Sequence, residues 1–135
     1  MFNFEELIGP TLLIGEGHEV YTKELLKNKK YVMLYFSAQW CPPCRKFTPL
    51  LGEAYNAHKA YIKENNNSDN NNNDENNDDN EYYDIEVIFV SLDSIQTQFN
   101  EYRSQMPFYS IPFANLWMLN LKDKLSNKYG IRSIP

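Results

Sequence analysis

The sequence predicts an α/β domain whose central strands are covered on both faces. Tyr31–Ser37 reads Tyr-Val-Met-Leu-Tyr-Phe-Ser, and Ile85–Ser91 reads Ile-Glu-Val-Ile-Phe-Val-Ser. Both are near-continuous apolar runs of strand length, rich in β-branched and aromatic residues, as strands buried on two faces require. Between them, Phe47, Leu50, Leu51, Ala54, Tyr55 and Ile62 recur with a period near 3.6 and mark one long amphipathic helix beginning at Pro42. A chain of 135 residues that is 42% hydrophobic and 15% aromatic can fill one modest core, so residues 1–135 are expected to form a single domain.

Taken in order, residues 2–8 form a short amphipathic turn or helix that Gly9-Pro10 ends. Residues 11–14 and 19–21 are β-prone and flank Gly15-Glu16-Gly17-His18, which reads as a hairpin. Residues 22–30 are polar around a Leu25-Leu26 pair and suit a short helical turn before the first central strand. In the long helix Pro49 removes one backbone hydrogen bond and is expected to kink it. After the second central strand, residues 94–105 have a helical pattern, with Ile95, Phe99 and Tyr102 on one side and Ser94 as its cap. Residues 106–113 carry two prolines and are expected to be extended. Residues 116–129 are expected to form one last helix, with Gly130 as its C′ residue.

Residues 65–80 interrupt this order with ten Asn, five acids and one Ser. Nothing in that segment can be buried to offset its ordering entropy, so it is expected to be a disordered insertion. It also explains the net charge of −5: five of the 18 acids lie in it and no base does, leaving 13 charges of each sign elsewhere. A balanced remainder without a Lys/Arg cluster argues against a nucleic-acid or membrane surface. The N-terminus lacks the basic and apolar regions of a signal peptide, which leads to the expectation of a reducing, cytoplasmic location, with the nucleus as the alternative.

Cys41 and Cys44 are the two cysteines of the chain, and they stand two residues apart where the first central strand meets the long helix. A loop that short constrains little unfolded-chain entropy, so structural stapling is a poor reading of the pair. Pro42 suits the first helical position, where a missing N–H costs nothing, and this puts Cys41 at the N-cap. A helix N-terminus favours an anion, and the thiolate is the form that attacks disulfides. Pro43 has no N–H to offer a capping sulfur, so the Cys44 amide is the expected donor. A metal site is not expected: there is no second Cys pair, and His18 and His58 lack ligand spacing. His58 is expected to pack on the apolar helix face and His18 to be solvated.

The segments Phe36-Ser37-Ala38-Gln39-Trp40-Cys41-Pro42-Pro43-Cys44-Arg45, Phe47-Thr48-Pro49-Leu50, Met106-Pro107-Phe108 and Ile111-Pro112-Phe113, with a terminal Ile134-Pro135, closely resemble the tryparedoxin and nucleoredoxin branch of the thioredoxin fold. The resemblance covers nearly the whole chain outside the Asn-rich insertion. It implies a three-layer α/β/α domain around a mixed sheet and a protein-disulfide oxidoreductase that needs no metal or organic cofactor. It further implies that Cys41 attacks and Cys44 resolves. Trp40, Pro42, Pro43, Ile134 and Pro135 would border the substrate groove, with Pro135 at the cis-proline position. The partners implied are protein disulfides and a dithiol electron donor, either a reductase or a small thiol.

Two departures from that pattern shape the expectations. Tyr35 occupies the position, six residues before Cys41, where thioredoxin itself has a buried Asp, which leaves Asp93 as the candidate proton acceptor for Cys44. The fold also normally continues past the cis-proline with two antiparallel strands and a helix; without them, Tyr31–Ser37 is expected at an open sheet edge. Arg45 reads either as electrostatic support for the thiolate or as an ordinary exposed arginine. Besides disulfide reduction, two other functions fit the residues: a non-catalytic binding or regulatory module, and, more remotely, a thiol peroxidase.

Overall fold

The computed structural model describes residues 2–68 and 84–134. The chain opens with helix α1 (Phe4–Ile8), capped by Asn3, whose side-chain oxygen accepts from the Glu6 amide at 3.2 Å. The hairpin β1 (Thr11–Ile14) and β2 (His18–Tyr21) follows. Gly15 and Gly17 take φ of 63° and 104° in its loop, a region side chains avoid. Helix α2 (Thr22–Leu26) is tied back by Thr22, whose buried hydroxyl donates to the Gly9 carbonyl at 2.8 Å. Strand β3 (Tyr31–Ser37) and helix α3 (Pro42–Ser68) come next, with Pro49 inside the helix. Strand β4 (Ile85–Ser91), helix α4 (Gln96–Arg103), strand β5 (Tyr109–Ser110) and helices α5 (Phe113–Met118) and α6 (Leu121–Lys128) complete the order.

The sheet is mixed, in the order β2-β1-β5-β4-β3. Strands β3, β4 and β5 run parallel, while β1 is antiparallel to both β2 and β5. Tyr35 lies opposite Phe89 and Phe36 opposite Val90. Alternate residues of β3 and β4 therefore feed two separate cores. Phe36, Ile88 and Val90 pack with Ile8, Leu116 and Leu125 from the helices of one face. Tyr35, Val87 and Phe89 pack with Tyr55 of α3 and Phe99 and Tyr102 of α4 on the other. The second core is aromatic: the Phe89 ring meets Tyr102 edge-on at 5.6 Å, and Phe108 meets Tyr55 edge-on at 5.7 Å. Among the described residues β3 lies at the sheet edge, paired with β4 alone.

Four expectations change. The single helix over residues 116–129 is two, because Asn120 adopts left-handed geometry at φ 52° and breaks the backbone ladder between α5 and α6. Its C-terminal end is as expected: Gly130 at φ 63° donates to the Asn127 carbonyl at 3.4 Å and Ile131 to Ser126 at 2.8 Å, a Schellman closure. Ser94 does not cap α4; Ile95 holds the N-cap position without a side-chain bond. Residues 65–68 of the Asn-rich segment belong to α3, with Asn65 Nδ2 donating to the Tyr61 carbonyl at 2.8 Å, while residues 69–80 lie outside the described residues. His58 is a polar anchor: its Nε2 accepts from the Ile85 amide at 3.0 Å and lies 3.5 Å from Asp84.

Candidate active site

The β3-to-α3 connection is built from short backbone turns. The Cys41 amide donates to the Ala38 carbonyl at 3.2 Å. The Cys41 carbonyl then accepts from the Arg45 amide at 3.1 Å, the first bond of the helix ladder, which makes Cys41 the N-cap residue. Both cysteines are thiols and both are buried, Cys44 fully and Cys41 to 6% exposure. Around them the surface is open: Trp40 is 59% exposed, and Pro42, Pro43 and Arg45 are exposed as well. Cys41 is thus reached through a rim of rigid, mostly apolar side chains. Arg45 stands on the first turn of α3 with its side chain in solvent.

Burial, and then the hydrogen bond to the Cys41 sulfur, push the Cys44 thiol above its usual range; contacts with the Ser37 side chain and the Ala38 backbone work against that. The two sulfurs are therefore direct neighbours, and the proton stays with Cys44. Asp93 is buried, but its carboxylate accepts from the Gln39 amide at 3.0 and 3.1 Å and from the Ser91 hydroxyl at 3.4 Å, and it also meets the Trp40 amide. Burial pushes Asp93 up, and these donors together with Lys122 offset part of that. Asp93 thus supports the loop that carries Trp40 and Cys41. Lys122 joins it from α6, donating to the Leu92 carbonyl at 3.3 Å while lying 5.4 Å over the Trp117 ring.

Ile134 is half-buried and packs against the core on the α5 and α6 face, whereas Pro135 lies outside the described residues. Sequence reasoning missed the hydroxyls behind Cys44. Tyr35 OH and Thr48 Oγ1 lie 2.7 Å apart, Thr48 Oγ1 and Tyr102 OH 2.6 Å, and Ser37 Oγ and Tyr102 OH 2.7 Å. The one signal for them in the sequence is Tyr35 in place of an acid. It also missed a polar cluster at the other end of the parallel strands. There the fully buried Glu86 accepts from Tyr55 OH at 2.5 Å and from Lys59 Nζ at 3.0 Å. Asp84 accepts from Lys59 at 2.8 Å and from Lys29 at 2.7 Å. Burial pushes Asp84 up, but the two lysines outweigh it and hold the carboxyl below the usual range. Among the described residues no group of three or more His, Cys, Asp or Glu could hold a metal ion, and no helix is long and apolar enough to cross a membrane.

A helix-capping cysteine, a second thiol one turn on and a mixed sheet with parallel central strands set the terms for comparison with known proteins. The family model described as thioredoxin-like matches residues 28–135. The chain belongs to the thioredoxin-like family. Within it the chain is similar to tryparedoxins and nucleoredoxins. It is 33% identical over 129 residues to the tryparedoxin of Trypanosoma brucei brucei, covering 96% of this chain and 72% of that one. It is also 33% identical over 132 residues to the nucleoredoxin of Mus musculus, but spans only 25% of that protein's length. Among solved structures, a tryparedoxin II complexed with glutathionylspermidine matches with a TM-score of 0.69 and 28% identity, covering 93% of this chain and 69% of that one. The thioredoxin-like relatives are thiol-disulfide oxidoreductases, and the Cys41-Cys44 pair of this chain stands in a Cys-Pro-Pro-Cys motif.

Proposed function

We propose that this chain is a protein-disulfide reductase of the tryparedoxin and nucleoredoxin kind. The observation that carries the reading is the pair itself: the buried Cys44 thiol is hydrogen-bonded to the sulfur of Cys41, which stands at the N-terminus of α3 beneath an open rim. The Cys41 thiolate attacks one sulfur of a substrate disulfide, forming a mixed disulfide and releasing the other sulfur as a thiolate. Cys44 then attacks Cys41, the bond from Cys41 to the substrate breaks, and two electrons have passed to the substrate. Trp40, Pro42 and Pro43 form the wall against which the substrate lies.

A dithiol donor returns the Cys41–Cys44 disulfide to the reduced state. The glutathionylspermidine in the related tryparedoxin II structure makes a small cationic thiol the donor class to test first. The deciding experiment is substitution. Cys44→Ser should accumulate a mixed disulfide with a protein substrate, and Cys41→Ser should abolish insulin-disulfide reduction. Retained reduction in Cys41→Ser would refute the assignment.

A further inference from the structure

The resolving thiol is buried, yet it must ionise to attack. What surrounds it is a chain of hydroxyls drawn from three elements: Ser37 and Tyr35 of β3, Thr48 of α3 and Tyr102 of α4. All four residues are buried. Ser37 contacts the Cys44 thiol, and Thr48 Oγ1 donates to the Cys44 carbonyl at 2.8 Å, so the chain starts and ends on the same residue.

Counting hydrogens decides how this chain behaves. Thr48 has one hydrogen and gives it to the Cys44 carbonyl, so Tyr35 must donate to Thr48. The Tyr102 hydrogen then has two acceptors, Thr48 Oγ1 at 2.6 Å and Ser37 Oγ at 2.7 Å. With Cys44 as a thiol, its hydrogen points to the Cys41 sulfur, Ser37 donates to Tyr102 and Tyr102 to Thr48. With Cys44 as a thiolate, Tyr102 donates to Ser37 and Ser37 to the sulfur. Thr48 keeps the Tyr35 hydrogen in both states. Two hydroxyl rotations therefore turn the chain toward the sulfur as it ionises, exchanging the Tyr102–Thr48 bond for a bond to the anion.

We propose that Ser37 and Tyr102 are positioning residues for the resolving step: their hydroxyls reverse direction as Cys44 ionises, so that Tyr102 donates to Ser37 and Ser37 to the thiolate. This rests on Cys44 being the resolving thiol, as assigned above. In that step the Cys44–Cys41 bond forms and the bond from Cys41 to the substrate breaks. The proton that Cys44 gives up is taken by the departing substrate thiolate, and the hydroxyl chain ends with the hydrogens it began with.

The aromatic disulfide 5,5′-dithiobis(2-nitrobenzoate) separates the two steps under single-turnover conditions, because each releases one coloured thiolate. With the full chain, Ser37→Ala and Tyr102→Phe should slow the second release about tenfold, the scale of a hydrogen bond to an anion, and move its pH midpoint upward. The first release should change by less than about twofold on the same scale. Ser37→Thr, which keeps the hydroxyl, should restore the second phase. A second release in Ser37→Ala with unchanged rate and pH midpoint would overturn the proposal, as would equal slowing of both phases. The underlying reading fails differently: a wild-type chain giving one release, or a Cys41→Ser chain giving two, would remove Cys44 as the resolving thiol whatever the hydroxyls do.

Discussion

Asp93 accepts the Gln39 amide with both carboxylate oxygens, at 3.0 and 3.1 Å, and so fastens the end of β4 to the loop that presents Cys41. An asparagine can keep one of those acceptors without a buried charge. Asp93→Asn is therefore expected to lie within about 1 kcal/mol of the parent in urea unfolding, whereas Asp93→Ala should cost about 2 kcal/mol by orphaning the amide. Asp93→Ala should also slow the attack of Cys41, because the N-cap residue loses its fixed loop. Equal stability of the two variants would contradict this role.

The two thiols differ in access and in proton affinity. Cys44 has no exposed surface, and burial and the Cys41 hydrogen bond raise its thiol. Limited alkylation of the reduced native chain by iodoacetamide near neutral pH is expected to modify Cys41 and leave Cys44 until the chain is unfolded. Peptide mass spectrometry reads the order directly. Equal labelling of both cysteines in the native chain would count against the buried placement of Cys44.

Alkali should unfold this chain steeply. Burial raises Tyr102 to about 12, and it raises Tyr55 and Tyr109 as well, with Glu86 adding to the shift in both. In the unfolded chain these phenols ionise near about 10. Above that pH the folded chain holds protons that the unfolded chain has lost, so stability falls as pH rises, by up to about 1.4 kcal/mol per pH unit for each group. Melting temperature followed from pH 8 to 11 should drop sharply above about 10, and Tyr102→Phe should flatten the slope. A slope that Tyr102→Phe leaves unchanged would mean this phenol titrates alike in both states.

The Lys59 ammonium is the main cation on Glu86, at 3.0 Å, with Lys29 more distant at 3.9 Å. Lys59→Met leaves the carboxylate with the Tyr55 hydroxyl and the more distant Lys29 in a site with 2% side-chain exposure. The expected cost is about 2 to 3 kcal/mol, the lower end for a broken buried pair because Lys59 and Asp84 keep some water. Adding Glu86→Gln should recover part of it. If the double variant is less stable than Lys59→Met, the carboxylate is held by Tyr55 and not by the lysines.

How much of this was legible in the sequence follows from the reach of each signal. Strands β3 and β4 declared themselves through seven-residue apolar runs, and the cysteines through a spacing of three positions. The break at Asn120 did not, since asparagine tolerates a helix interior and the left-handed region alike, and the packing of Leu116, Leu121 and Leu125 decides between them. Contacts between residues distant in sequence were invisible for a simpler reason. Ser37 meets Tyr102 across 65 positions and Lys29 meets Asp84 across 55, and no local pattern encodes either pair. Asp93 was singled out by its place after β4, but its partner, an amide at residue 39, could be named only once the chain was folded.

The polar cluster at Asp84 has one more consequence. The cysteines follow the C-terminal end of β3, while Lys29, Lys59, Asp84 and Glu86 gather where the parallel β4 begins, so the length of a seven-residue strand, roughly 20 Å, separates them. Helix α3 ends at Ser68, and the described chain resumes at Asp84. Lys29 and Lys59 therefore clamp the chain where it resumes, on the floor of the domain, so that loosening them would disturb the floor and leave the thiols of the roof in place.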